Sequence, residues 1–232
     1  EEPPCPFAIA ATLRKRKEGA ILFCLERGGE AILGATPERL FRREGRRLIA
    51  EAIAGTRKKE SSEDLLTSPK DLLEHAPIPR ALQQLLAPFC SAPPTLSPLT
   101  TCTTAAVRHL YQEVSGEARG EIDDLSLALA LHPTPALGGW PKAQARSLLA
   151  SLEPFERGLY GGVLGWKSAE QSEWAVLLRC LHLQGKKATL TTGTGIVKDS
   201  DPEEEWEELN AKLSLYRELL GDNIVCGASA PS

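Results

Sequence analysis

Ala20-Ile-Leu-Phe-Cys-Leu-Glu-Arg-Gly-Gly-Glu-Ala-Ile-Leu33 sets two apolar runs on either side of a Gly28-Gly29 pair. Glycine accepts the backbone of a two-residue turn, so the stretch reads as two antiparallel strands joined by a tight hairpin. A second hairpin follows, in which Arg39-Leu-Phe-Arg42 and Leu48-Ile-Ala-Glu-Ala-Ile53 flank the polar turn Arg43-Glu-Gly-Arg46. Antiparallel pairing needs only such short connections.

After the second hairpin, residues 57–64 are charged and Ser-rich and read as a surface loop. Leu spacing without β-branched runs predicts helix from Glu63 to about Leu86, with breaks at Pro77 and Pro79. Pro93–Pro98 reads as a loop. Asp123–Leu131 and Pro141–Leu152 read as helices, the second opening on a proline. Between them His132-Pro-Thr-Pro-Ala-Leu-Gly-Gly139 is expected to hold no regular structure. Tyr160–Trp166, Trp174–Leu183 and Ala188–Thr192 read as strands, the middle one apolar enough to be central. The last helix opens at Ser200-Asp201-Pro202 and runs to Leu220, with acids in its first turn and Trp206, Leu209, Leu213, Tyr216 and Leu220 on one stripe. No internal repeat or domain linker interrupts the 232 residues.

Composition narrows the function. Lys and Arg number 27 against 31 Asp and Glu, for a net charge of −4, so no basic excess is available to neutralise nucleic acid or an anionic membrane. No apolar run approaches the roughly 20 residues that span a bilayer, and Glu1-Glu2-Pro3-Pro4 is not the start of a signal peptide. A soluble, cytoplasmic protein is expected. Six scattered cysteines (Cys5, Cys24, Cys90, Cys102, Cys180, Cys226) form neither a zinc pattern nor a redox dithiol and read as reduced thiols. The chain contains no Met, which suggests that residues are absent from it.

Several segments are equipped for chemistry. In the last helix Glu205, Glu208 and Lys212 fall at i, i+3 and i+7, so two carboxylates and an ammonium share one face. Two carboxylates are what Mg²⁺ usually takes from a protein, although a solvated charged face has the same pattern. Asp71 and Glu74 repeat the spacing beside Lys70 and His75, where a surface ion cluster is the other reading. Gly193-Thr-Gly-Ile follows a strand and either offers backbone N–H groups to an anion or simply turns the chain. Arg179, near the centre of an apolar strand, needs either a structural partner or a substrate carboxylate. His109 is either a donor in a site or a packed, satisfied side chain.

In this order the segments resemble the chorismate-utilising enzymes, the family that contains isochorismate synthase, salicylate synthase, anthranilate synthase component I and aminodeoxychorismate synthase. The matching pieces are Gly34-Ala-Thr-Pro-Glu-Arg-Leu, Glu51-Ala-Ile-Ala-Gly-Thr-Arg, Lys70-Asp-Leu-Leu-Glu-His, Arg108-His-Leu, His132-Pro-Thr-Pro-Ala-Leu-Gly-Gly, Gly158-Leu-Tyr-Gly-Gly, Gly193-Thr-Gly-Ile-Val and Ser200-Asp-Pro-Glu-Glu-Glu-Trp-Glu-Glu with Lys212. The resemblance implies an α/β (α+β) fold with antiparallel sheets stacked face to face and helices outside. It implies Glu38 as the acid that protonates the departing C4 hydroxyl of chorismate, which requires burial to raise its pKa. Glu74 and Glu208 would hold Mg²⁺ against the ring carboxylate, with Glu205 and Asp71 close by. Arg179, Tyr160, Lys212 and the amides around Gly193 and Gly195 would bind carboxylates, and Gly55, Thr56 and His109 would line the pocket. Such a list suits a dianion.

The loop implies which member of the family this is. Ala136 stands where ammonia-using and salicylate-forming relatives carry Thr, and the form of its loop is similar to isochorismate synthases, with water attacking C2. The resemblance therefore implies Mg²⁺-dependent conversion of chorismate to isochorismate for menaquinone, siderophore or salicylate pathways, by a monomer or weak homodimer. Rivals are a salicylate or anthranilate synthase-type enzyme and a non-catalytic chorismate-binding fragment. In the family the Lys that activates water stands on a strand upstream of the segment beginning near Pro6, and this chain starts after it. Residues 1–232 are thus expected to be the C-terminal majority of one domain. Two departures from the family pattern stand out. The interval from Glu38 to Glu74 is short, the loss falling after Arg57, and Gly193-Thr-Gly replaces Gly-Ala-Gly, a change expected to matter little.

Overall fold

The computed structural model describes residues 5–16, 20–60, 64–103 and 107–220. The expected helix start at Glu63 and the thiol of Cys226 lie outside them; the other five cysteines are free thiols. The elements in chain order are α1 (Pro6–Arg16), β1 (Ile21–Arg27), β2 (Glu30–Thr36), β3 (Arg39–Glu44), β4 (Arg47–Lys58), α2 (Pro69–His75), α3 (Pro77–Leu86), β5 (Thr95–Leu96), β6 (Thr100–Thr103), β7 (Val107–Glu117), α4 (Asp124–Leu131), α5 (Pro135–Gly138), α6 (Lys142–Leu152), β8 (Val163–Lys167), β9 (Gln171–Val176), β10 (Cys180–Gln184), β11 (Lys187–Thr191) and α7 (Pro202–Leu220). None of these helices is long and apolar enough to cross a membrane.

Both hairpins form as read. Gly28 and Gly29 take φ +62° and +81°, and β1 pairs with β2 from Arg27↔Glu30 outward. β1 and β2 join β10 and β11 in a four-stranded antiparallel sheet, while β5-β7-β4-β3-β9-β8 form a second, with β6 also on β7. Alternate residues of β4 face one side, so Ala50, Ala52 and Ala54 lay a floor of small side chains beneath Ile78, Leu82 and Leu86 of α3 and Leu127 and Leu131 of α4. A bidentate pair from Arg43 to the buried Asp124, at 2.7 and 2.9 Å, pins the start of α4 to β3. On the small sheet, Ala31, Leu33, Leu181 and Leu183 pack under α1 and α7, and Phe23, Ile32 and Cys180 pack with Leu177 and Leu164.

The structure corrects several readings. Trp174–Leu183 is not one strand: β9 lies in the large sheet and β10 in the small one. Leu177 makes the crossing, its N–H donating to Gly162 O and its carbonyl accepting from Gly161 N. The run is apolar throughout because each half is internal to its own sheet, a pattern that periodicity does not distinguish from one long strand. Arg179 therefore sits in the break, not at a strand centre, with φ +52°.

His132–Gly139 does contain regular structure, the single turn α5. Pro135 suits a first helical position and Gly139, at φ +77°, ends the turn. Pro79 does not break α3, because it stands in the first turn, where its missing N–H had no helical partner. Gly158–Gly161 form a turn ahead of β8, so Tyr160–Gly162 are not strand; β4 runs on through Arg57 and Lys58, and Pro93–Pro98 includes the two-residue β5. Neither α1 nor the eleven-residue β7, partner of β4 along its whole length, was legible in the sequence. Trp206 stays 55% exposed while its neighbour Glu205 is buried, so the stripe on α7 packs only from its middle onward.

Candidate active site

A bulge builds one wall. Between Ala54 and Thr56 the β4–β7 register slips, and Gly55 takes φ +68° with no room for a side chain: a Cβ would lie 3.0 Å from Asp71 Cβ. The slip places Thr56 Oγ1 3.0 Å from His109 Nδ1. His109 Nε2 in turn faces Arg179 Nη2 at 3.4 Å. Burial, with the cationic Arg179 and Lys212 beside it, holds the His109 pKa well below its ordinary value, so the ring is neutral. The guanidinium donates to Nε2, which assigns the ring proton to Nδ1 and makes Thr56 its acceptor.

Arg179 is held in its left-handed conformation by Tyr216. The buried phenol of α7 donates to Arg179 O at 2.5 Å and accepts from Ala35 N at 2.9 Å, tying the crossing segment to β2. Gly34 is required beneath it, since a Cβ there would stand 2.6 Å from Arg179 O. Tyr216→Phe strands a buried carbonyl and a buried N–H, at about 1–3 kcal/mol each. The variant is expected to lose about 2–4 kcal/mol in a urea unfolding experiment.

Opposite these stand the carboxylates. Glu74 on α2 accepts from the Gly55 amide, and its pKa is raised to about 7 by burial and then by the charge of Glu208 on α7. Lys212 neutralises Glu208 from one turn away at 2.5 Å and donates to Gly193 O at 2.9 Å. Gly195 lies against Glu74 so closely that a Cβ would come 2.6 Å from Oε1, and a Cβ on Gly193 would come 2.6 Å from the Tyr160 hydroxyl. Burial raises the Tyr160 pKa to about 12, so the phenol keeps its proton.

Glu205 and Asp71 are engaged elsewhere. Lys70 bonds Glu205 at 3.3 Å, and Arg57 holds the buried Asp71 at 3.0 Å. His75 is not part of an ion cluster; it is buried against Ala52 O at 3.3 Å. Among the described residues no group of three or more His, Cys, Asp and Glu is disposed to hold a metal. Glu74 and Glu208 remain as a facing pair of acids that repel each other, and a divalent cation satisfies such a pair. Thr194, expected to change little, bridges that region: its hydroxyl lies 2.6 Å from Glu205 Oε2 and 3.0 Å from Glu208 Oε1. A cavity of about 240 Å³ lined by Thr56, Arg57, Lys70, Glu205 and Glu208 opens beside it.

Glu38 follows β2 and is 5% exposed. Burial raises its pKa to about 7, opposed by one hydrogen bond from Thr134 Oγ1 at 2.5 Å. Ala136, two residues past Thr134, packs on the core cluster under α3. Thr134 and Tyr216 were not singled out as site residues in the sequence. Thr134 lay within a quoted motif, but its partner is 96 positions away, and Tyr216 looked like one more residue of an apolar stripe.

Tyr160 links the two groups of residues, with Glu38 on one side and Arg179 on the other; a buried acid, a guanidinium and an ammonium, and paired carboxylates suited to a cation are the chemistry that a small polyanion would call on. The chain belongs to the family of chorismate binding enzymes, whose model matches residues 1–221. It is 37% identical over 225 residues to isochorismate synthase 2, chloroplastic, of Arabidopsis thaliana, covering 93% of this chain and 40% of that protein. It is equally 37% identical over 202 residues to isochorismate synthase EntC of Escherichia coli (strain K12), covering 83% and 52%. Among solved structures it is similar to MenF, the menaquinone-specific isochorismate synthase from Escherichia coli (TM-score 0.85, 32% identity, 95% of this chain and 53% of that one). It is also similar to anthranilate synthase component I from Streptococcus pneumoniae TIGR4 (TM-score 0.77, 25% identity, 92% and 50%). The chain spans about half the length of these relatives.

Proposed function

We propose that this chain carries the chorismate site of an isochorismate synthase. The observation that carries the reading is Glu38, a carboxyl buried without a cationic partner among the described residues and therefore protonated near neutral pH, in the molecule that also gathers Arg179, Lys212 and the Gly193–Gly195 amides. Relatives named isochorismate synthases at 37% identity support the choice of reaction. Water adds at C2 of chorismate and gives a proton to a general base; both ring double bonds shift, C1=C2 to C1=C6 and C5=C6 to C4=C5, and the C4–O bond breaks with its electron pair on oxygen. That oxygen takes the Glu38 proton and leaves as water, so the sum is an isomerisation.

Arg179 and Lys212 bind and orient the carboxylates, and the neutral His109 accepts from Arg179 and helps to aim its guanidinium. Glu74 and Glu208 would hold Mg²⁺, which when bound supplies positive charge against the ring carboxylate. Glu205 and Asp71, anchored by Lys70 and Arg57, keep α7 and α2 in register around that pair. The protein acts in the cytoplasm on one small molecule, as a monomer or weak homodimer, and neither nucleic acid nor membrane takes part.

The test is product analysis of the full gene product with chorismate. Isochorismate is expected with Mg²⁺ and not after chelation; anthranilate, aminodeoxychorismate or salicylate as the main product rejects the assignment. The metal pair has its own test in Gly195→Ala. The new Cβ meets the flexible end of Glu74 rather than backbone, so unfolding free energy is expected to stay within about 1 kcal/mol. Mg²⁺ affinity in calorimetry is expected to fall about tenfold or more, since the displaced carboxylate is half the site.

A further inference from the structure

We infer that Thr134 is the positioning residue of the acid, its hydroxyl fixing which oxygen of Glu38 carries the transferable proton. The inference rests on the proposed reaction. Thr134 is 3% exposed, and its Oγ1 lies 2.5 Å from Glu38 Oε1. A threonine hydroxyl has one proton to donate, and no other acceptor engages it among the described residues. Oε1 is thereby occupied as the acceptor oxygen, and the acid proton resides on Oε2, free to pass to the departing oxygen. After transfer the same hydrogen bond becomes charge-assisted and stabilises the carboxylate left behind.

Thr134 is available for this because α5 begins just after it. As the residue that precedes Pro135, it has extended backbone, and its side chain makes no cap to the helix, so the hydroxyl is left for Glu38. Glu38 is itself set by its own N–H, which donates to Thr36 Oγ1 at 3.2 Å. The titratable group facing the carboxyl is Tyr160, which is protonated, and no charged side chain contributes to its titration among the described residues. The hydroxyl of Thr134 is therefore the polar group that sets the balance between burial and ionisation.

The test compares Thr134→Val, which keeps the shape and removes the hydroxyl, with Thr134→Ser, which restores it. In the full gene product, Thr134→Val is expected to lower kcat about ten- to a hundredfold with KM within about twofold. The basic limb of kcat/KM, where the acid loses its proton, is expected to move up by about one pH unit. Thr134→Ser recovers both. Carbon-13 NMR titration of the Glu38 carboxyl, which needs no turnover, should show the same upward shift in Thr134→Val. If isochorismate forms but neither the basic limb nor the carboxyl titration moves in Thr134→Val, the inference is wrong. If the titration moves as expected and chorismate is not converted to isochorismate, the positioning stands and the proposed reaction fails.

Discussion

Glu38→Gln is expected to abolish turnover of chorismate, by about 10²- to 10⁴-fold, the usual contribution of a positioned acid. The amide keeps the size of the side chain and can still accept from Thr134, so substrate affinity measured by calorimetry is expected to change little. The same variant has a second signature in stability. In the folded protein the Glu38 carboxyl titrates at about 7, against an ordinary value of 4.5. Below pH 4.5 it is protonated in both folded and unfolded chains and favours neither. Between 4.5 and 7 the unfolded chain ionises while the folded one does not, so its contribution to stability declines as pH rises. The full loss is about 3 kcal/mol above pH 7. Glu38→Gln does not titrate. Relative to the native protein it should therefore gain stability from pH 4.5 to 8, by up to about 3 kcal/mol in urea midpoints converted at constant slope. A difference that stays flat across that window would show that Glu38 is not held neutral.

Arg179→Lys is expected to raise the KM for chorismate about ten- to a hundredfold while kcat changes much less. The charge survives, but a lysine cannot grip a carboxylate through two parallel N–H groups of a planar fork, and its shorter head group gives up the contact with His109 Nε2. The backbone around residue 179 is held by Tyr216 and Gly34, so the shorter reach of the new head group cannot be recovered by moving the chain. Calorimetric titration with chorismate separates this loss of binding from any loss of chemistry. Unchanged affinity would remove Arg179 from the carboxylate-binding set.

Much of the site was readable as local grammar. The Gly28-Gly29 turn, the polar turn at residues 43–46 and the proline and acids at the start of α7 act between neighbours in the chain, and each formed where expected. So did the face shared by Glu205, Glu208 and Lys212, because helical spacing alone puts them together. Local pattern is silent where the governing contact is distant. Residues 174–183 carry one continuous apolar signal, yet they serve two sheets, and the break falls where Gly161, Gly162 and Tyr216 capture the backbone of Leu177 and Arg179. The Gly55 bulge that joins Thr56 to His109 likewise depends on how β7 lies against β4.

Local sequence dictates the hairpins, the final helix, the order of the motifs and the acidic, cationic and glycine residues available to a polyanion. Packing is what buries the Glu38 carboxyl beside Thr134 and raises its pKa to about 7, holds Arg179 at φ +52° through Tyr216, and sets Glu74 against Glu208. A turn or a cap is an interaction between residues a few positions apart, whose geometry the local backbone dictates. Desolvation and pairing across 37 to 134 positions depend on which elements pack against each other, and that follows from burying the whole apolar surface at once.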